Sequence, residues 1–312
     1  MWLRLALPFA LDHVNIYLIE DGDGWAVLDT GVADLRSRTV WESVFARFPV
    51  SRVIVTHFHP DHAGLAGWMT ERFGVELAMS QTEYLFAQNL RHNPQAWGTD
   101  LHLRFYRRGG LDAETADALV NRGHGYLKLT TELPPSYRRL VAGERLQIGG
   151  RQFEIMTGGG HAPEQVMLLC REAGLFLAAD QVLARISPNI AVWPGEPEGN
   201  PLGVYLASLA ALRDLPDNLL VLPAHNLPFY GLHARIGELE RHHASRLHDI
   251  VGAAAEPRSV ADLLPVLFPR ALDPQQMSFA FGEVLAHVND LLNAGKLIRE
   301  TAADGVQRVR RP

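Results

Sequence analysis

Between Thr56 and Gly64 the chain reads THFHPDHAG, with three histidines and one aspartate inside six positions. Imidazole nitrogen and carboxylate oxygen are ligands for zinc, iron and manganese. The segment follows the β-branched run of SRVIVTHF (51–58), which reads as a buried strand. In extended backbone His57 and His59 project to one side, whereas in a helix they would diverge. Pro60 keeps the preceding residue extended before the chain turns. Asp61 and His62 are adjacent, so they face differently from the first pair and suit a second ion close by. Two divalent ions flanking one water generate a hydroxide near neutral pH and stabilise a developing oxyanion, an effect of several kcal/mol. Cys170 is the single cysteine, so neither an internal disulfide nor a thiolate cluster is available and the ligands must be nitrogen and oxygen.

Closing two such sites takes further donors at strand ends on the same edge of a sheet. The chain offers GGGHAPEQ with His161 after a strand, FLAADQ with Asp180 ending a strand, and LPAHN with His225 ending another. A carboxylate such as Asp180 can give one oxygen to each ion, which makes it the natural bridge. The elements that carry these residues alternate. NIYLIED (15–21) and GWAVLDTG (24–31) predict a hairpin turning at DGDG, ADLRSRTVWESVFARF (33–48) a helix, and AGLAGWMTERFG a helix stopped by Gly74. VELAMS (75–80), 144–159, 166–180 and 218–226 predict further strands, and Ser208 to Leu215 and His233 to Val251 predict helices. This alternation fits an α/β sandwich. His233, His242, His243 and His248 fall on or beside the long charged helix and read as solvated.

Residues 83–138 interrupt the alternation with helical patterns around Gly109-Gly110, and read as a helical lid inserted in a catalytic domain spanning 1–252. His124 and Tyr126 lie in this lid within reach of a substrate, although a structural role is the commoner use of such residues. Ala253 to Pro257 reads as a linker. Beyond it Ser259 and Asp262 have capping-box spacing, Phe281 to Leu292 repeat at helical spacing, and a hairpin turns at Asp304-Gly305. Residues 257–312 therefore outline a small winged-helix-like domain.

THFHPDHAG, with Asp29-Thr30-Gly31 upstream and His161, Asp180 and His225 downstream in this order, resembles the metallo-β-lactamase superfamily over roughly residues 1 to 250. The resemblance implies an αββα sandwich holding a binuclear site, usually zinc, with iron or manganese as alternatives. Carried over by position, it implies that His57, His59 and His161 hold the first metal, that Asp61, His62 and His225 hold the second, and that Asp180 touches both. Asp29 matches a position that supports the metal loops from behind. The tail, through AHVNDLLNAGKL, is similar to the winged-helix segment after this fold in the lactamase-like protein 2 group, whereas the similarity to glyoxalase II-type thioesterases is one of metal motif only. Antibiotic-hydrolysing members of the best-known class carry a cysteine at a second-metal position. Cys170 has no ligand signature, so lactam hydrolysis is disfavoured.

The expected activity is hydrolysis of an ester, thioester or lactone of a small molecule through a metal-bridging hydroxide, with Asp61 also accepting a proton. A phosphodiesterase or ribonuclease using the same metals is the alternative, favoured if Arg104, Arg107 and Arg108 line a basic groove. A regulator that senses a ligand and binds nucleic acid is a second alternative. Glu283 and Asp290 on the would-be recognition helix argue against nucleic acid, so packing or a homodimer contact is the preferred use of the tail. The formal charge of −6 gives no overall attraction to nucleic acid or an anionic membrane. The start of the chain reads as a strand rather than a signal peptide, since Pro8, Asp12 and His13 interrupt the apolar run. No apolar stretch is long enough for a spanning helix, and a cytoplasmic location is expected.

Overall fold

The computed structural model describes residues 1–9, 11–93, 100–121 and 125–312. They divide into two compact units: Met1–Asn93, Gly125–Pro188 and Arg213–Arg235 in the first, and Pro94–His124, Asn189–Leu212 and Ile236–Pro312 in the second.

The first unit contains two mixed sheets, in keeping with the α/β sandwich expected from the sequence. One has six strands in chain order: β1 (Trp2–Ala6), β2 (His13–Asp21), β3 (Gly24–Leu28), β4 (Val50–Ile54), β5 (Leu77–Met79) and β6 (Arg138–Arg139). β1 to β3 are antiparallel, and β3 to β6 run parallel. The crossover from β3 to β4 is α1 (Leu35–Phe45), capped by Asp34, and that from β4 to β5 holds α2 (Pro60–Ala63) and α3 (Ala66–Phe73). The other sheet joins β7 (Arg145–Ile148), β8 (Arg151–Gly158), β9 (Gln165–Cys170), β10 (Leu175–Ala179) and β11 (Leu220–Pro223). Side chains alternate across each strand, so each sheet buries two faces. Tyr17, Ala26, Leu28 and Ile54 meet Leu146, Phe153, Leu168 and Cys170 in the core between the sheets. Ile16, Leu18 and Val27, on the opposite face, pack with Trp41 of α1 and Met69 of α3.

β10 and β11 are parallel, and β8 reaches β10 through two antiparallel pairings, so β8, β10 and β11 point the same way. Their carboxyl ends deliver His161, Asp180 and His225, while β3 and β4 deliver Asp29 and His57. Carboxyl ends of parallel strands are where open α/β sheets place their sites. Several predicted strands end early. GWAVLDTG stops at Leu28 because Asp29 takes φ +65°, and SRVIVTHF stops at Ile54 because the next residues leave the ladder to form the motif loop.

The second unit gathers α5 (Asp100–Arg108), α6 (Ala113–Val120), α8 (Pro201–Ala211), most of α9 (Leu232–Ala253), α10 (Val260–Leu267), α11 (Pro274–Asn293) and a ribbon of β12 (Ile298–Thr301) with β13 (Gln307–Arg310). Within the predicted insertion, α4 (Gln81–His92) and α7 (Gly125–Leu129) belong to the first unit and α5 and α6 to the second. The helix expected at Ser208–Leu215 starts earlier, because the Asn200 side chain caps it and Pro201 occupies its first turn. The expected capping box at Ser259 is present, and Asp273 with Gln276 forms another. Ten consecutive or neighbouring positions of α11 from Ala280 to Leu291 are buried, so this is a core helix. His243, expected in solvent, is fully buried and meets His287 of α11. The charged face of α9 concealed that contact, since nothing in the sequence says which side of the helix α11 covers. No helix among the described residues is long and apolar enough to cross a membrane.

Candidate metal centre

The motif leaves β4 as a loop. His59 is extended, with ψ 147°, as its position before proline requires, and Pro60 then opens the single turn of α2. His57 and His59 project together: His57 Nε2 and His59 Nδ1 are 2.9 Å apart. His161 Nε2 completes a triangle, 3.0 Å from His59 Nδ1. Three imidazole nitrogens this close suit donors around one tetrahedral ion, whose bonds of about 2.0 Å separate ligand atoms by roughly 3.3 Å.

A second group lies beside the first. His62 Nε2 is 3.5 Å and His225 Nε2 is 3.4 Å from Asp61 Oδ2. Asp180 Oδ2 joins the groups, 3.2 Å from His161 Nε2, 3.4 Å from His225 Nε2 and 3.7 Å from His62 Nε2. The structure thus brings together all seven residues that the sequence nominated as donors. His62 Nε2, His225 Nε2 and Asp180 Oδ1 are buried without a hydrogen-bond partner. Burying such atoms costs roughly 1–3 kcal/mol each unless something coordinates them, and a pair of divalent ions fits this donor set. His57, His62, Asp180 and His225 form the buried floor, whereas His59, Asp61 and His161 are partly exposed.

Partners behind the donors set their direction. The Asp29 carboxylate accepts from the Thr56 N–H at 2.8 Å, the Thr56 hydroxyl and His62 Nδ1 at 2.9 Å. His225 Nδ1 donates to the His13 carbonyl at 2.7 Å. Each bond places a proton on Nδ1 and turns Nε2 into the site. Among the described residues, the non-glycine positions with positive φ are Asp29, Ala179 and Asn226. Each is a donor's supporter or its chain neighbour. Strain of this kind costs on the order of 1–3 kcal/mol and persists where surrounding contacts over-determine the backbone.

Electrostatics divide the donors. Burial, reinforced by neighbouring imidazoles, holds His57 well below its ordinary range and lowers His59 to about 3. Burial acts against charge at Asp61 and Asp180 too, but adjacent imidazoles outweigh it and keep both carboxyls well below the usual range. At His62 burial is overcome by Asp61, Asp29 and Asp180, which raise it, and at His225 chiefly by Asp180, which lifts it to about 10. The carboxylates therefore stay anionic and gather positive charge, whether carried by protons or by a metal.

Glu83 was not foreseen. It is wholly buried on α4, and its carboxylate accepts from the Phe58 N–H at 3.0 Å and the Glu164 N–H at 2.6 Å. It thereby ties the loop of His57 and His59 to the loop after His161. Burial raises its carboxyl to about 7 despite these donors. In sequence Ser80 and Glu83 have capping-box spacing, a local reading that hides the long-range one. The Tyr126 hydroxyl donates to the Phe58 carbonyl at 3.0 Å, on the same loop, and Tyr126 is buried. His124 lies outside the described residues.

A family model described as the metallo-beta-lactamase superfamily matches residues 10–225, and one described as the metallo-beta-lactamase-like C-terminal domain matches residues 247–312. The chain is 41% identical to a beta-lactamase domain protein from Burkholderia ambifaria, with a TM-score of 0.92, covering 100% of this chain and 92% of that one. It is 28% identical to a metallo-beta-lactamase family protein from Thermus thermophilus, with a TM-score of 0.85 over 100% of this chain and 98% of that one. The probable metallo-hydrolase YqjP of Bacillus subtilis is 26% identical, covering 95% of this chain and 92% of YqjP. Donor geometry, fold and these matches agree, and the chain belongs to the metallo-β-lactamase superfamily as a metallo-hydrolase.

Proposed function

We propose that this chain hydrolyses an ester, thioester or lactone of a small molecule, using two divalent ions, zinc foremost. The observation that carries the reading is the meeting of two donor groups at Asp180, with buried nitrogens and an oxygen left for coordination. His57, His59 and His161 would hold one ion, Asp61, His62 and His225 the other, and Asp180 both. When bound, the ions supply a water acidic enough to ionise near neutral pH and Lewis-acid polarisation of a carbonyl.

The chain's own residues do the rest. Asp61 is an anionic carboxylate on the partly exposed side of the site, where it accepts a proton from an attacking water. Asp29 and the His13 carbonyl hold His62 and His225 in the tautomer that frees Nε2. Glu83 and Tyr126 brace the motif loop through the Phe58 N–H and carbonyl.

Purified protein, its metal content measured, should be assayed on p-nitrophenyl esters, acyl-thioesters, lactones and bis-p-nitrophenyl phosphate. Activity on an acyl substrate that disappears on chelation and returns with zinc supports the reading. Activity confined to the phosphodiester would replace it with phosphoryl transfer.

A further inference from the structure

The second unit contains a cavity of about 190 Å³ that no step of hydrolysis uses. Its floor is apolar: Phe105 from α5, and Phe281, Leu285 and Val288 at i, i+4 and i+7 along α11. Phe105 and Phe281 meet edge to face at 5.3 Å, and Gly109 allows that packing, because a Cβ there would lie 2.2 Å from the Phe281 ring. Four arginines surround this floor, Arg104 and Arg108 one turn apart on α5, Arg258 just before α10, and Arg299 on β12. No acidic residue among the described residues lines the cavity. Glu198 pairs with both Arg108, at 3.7 Å, and Arg299, whose Nη2 also donates to Asn289 Oδ1. Asp262 feels the charge of Arg258. Arg104 has no ion-pair partner among the described residues.

In a chain of net charge −6, four guanidinium groups around one apolar hollow form a local reversal of sign. Guanidinium forks bind carboxylate and phosphate oxygens in pairs, and each such bond is charge-assisted. A dry cavity of about 150 Å³ holds a benzene-sized body, so this one accommodates six to eight carbons, with the charged head at the arginine rim. We propose that the cavity is a binding site for an amphiphilic anion: a carboxylate or phosphate monoester on a medium-length apolar body. Arg104 and Arg258 contact the head, and the α5 and α11 side chains contact the body.

Titration calorimetry on the full-length, metal-loaded protein tests this with octanoate, octyl phosphate, octanol and inorganic phosphate. Octanoate or octyl phosphate should bind at least tenfold more tightly than octanol or inorganic phosphate, and the affinity should fall with added salt. Which of the two anions binds identifies the head. The double variant Arg104→Gln/Arg258→Gln replaces exposed side chains and should weaken that binding by about tenfold or more, the loss of one or two charge-assisted hydrogen bonds. Octanol binding as tightly as the anions, or phosphate as tightly as octyl phosphate, overturns the proposal. So does binding unchanged in the double variant but lost on chelation, which would place the anion on the metals, or no binding of any probe.

Discussion

Two buried histidine clusters, one in each unit, look alike as composition and differ in what closes them. In the first unit His57, His59, His62, His161 and His225 face two carboxylates, and three buried polar atoms keep no hydrogen-bond partner. In the second, His287 Nδ1 donates to the Glu283 carbonyl at 2.7 Å and its Nε2 lies 3.1 Å from His243 Nδ1. The Glu283 carboxylate is turned to Arg246, at 3.1 Å, and Tyr205 stands edge-on to His243. Each bond in this pair accounts for a ring nitrogen without needing a cation. In this chain, then, the buried imidazoles with carboxylates converging on them and lone pairs unspent form the candidate metal centre, and the pair whose nitrogens bond each other and a carbonyl does not.

The largest break in this contrast comes from Asp61→Ala. Hydrolysis should fall by roughly 10²–10⁴-fold, the usual worth of a positioned proton acceptor, while circular dichroism stays at the wild-type spectrum. His243→Phe should leave both the rate and the metal-to-protein ratio unchanged, and a loss of metal in that variant would erase the distinction between the clusters. Asp29→Asn comes next. It keeps the shape but loses the anion that holds His62 Nδ1–H, so metal affinity, measured by competition with a chelator, should drop by about 10–100-fold.

Glu83→Gln sharpens the comparison from the side of the scaffold. An amide has one accepting oxygen for two backbone donors, so one N–H is left buried and unsatisfied at a cost of roughly 1–3 kcal/mol. Urea denaturation reads that cost, and KM should move less than kcat because no contact with substrate is removed. Smallest is a pH effect on the second unit. Burial lowers His243 to about 3 and His287 to about 4 from 6.5, so unfolding takes up protons below pH 6.5 and these two groups lose stability as pH falls. Burial raises Glu283 from 4.5 to about 6, which acts oppositely inside that range. The net contribution is one proton between pH 4.5 and 6, or about 1 kcal/mol per pH unit. In His243→Phe the stability measured by denaturant should therefore vary less with pH across that window than in wild type.

Much of the first unit was legible because its signals are local. THFHPDHAG announces its chemistry by residue type, and His161, Asp180 and His225 each follow a strand pattern. Pro60 and Gly74 mark ends that the backbone respects, as Ser259 does in the second unit. Glu83 was missed because its two donors, Phe58 and Glu164, lie 25 and 81 positions away in the chain. His243 was misplaced in solvent for the same reason: its partner is 44 residues off.

The sequence by itself determined which donors are present, that they are nitrogen and oxygen, and which strands carry them, since those depend on residue type and short-range periodicity. Only the tertiary structure decided that carboxyl ends of two sheets lie together, that Asp180 stands between both groups, and that arginines from three separate segments ring one apolar hollow. Those outcomes depend on strand order and helix facing, which are settled by burial of the whole chain and not by any window of it.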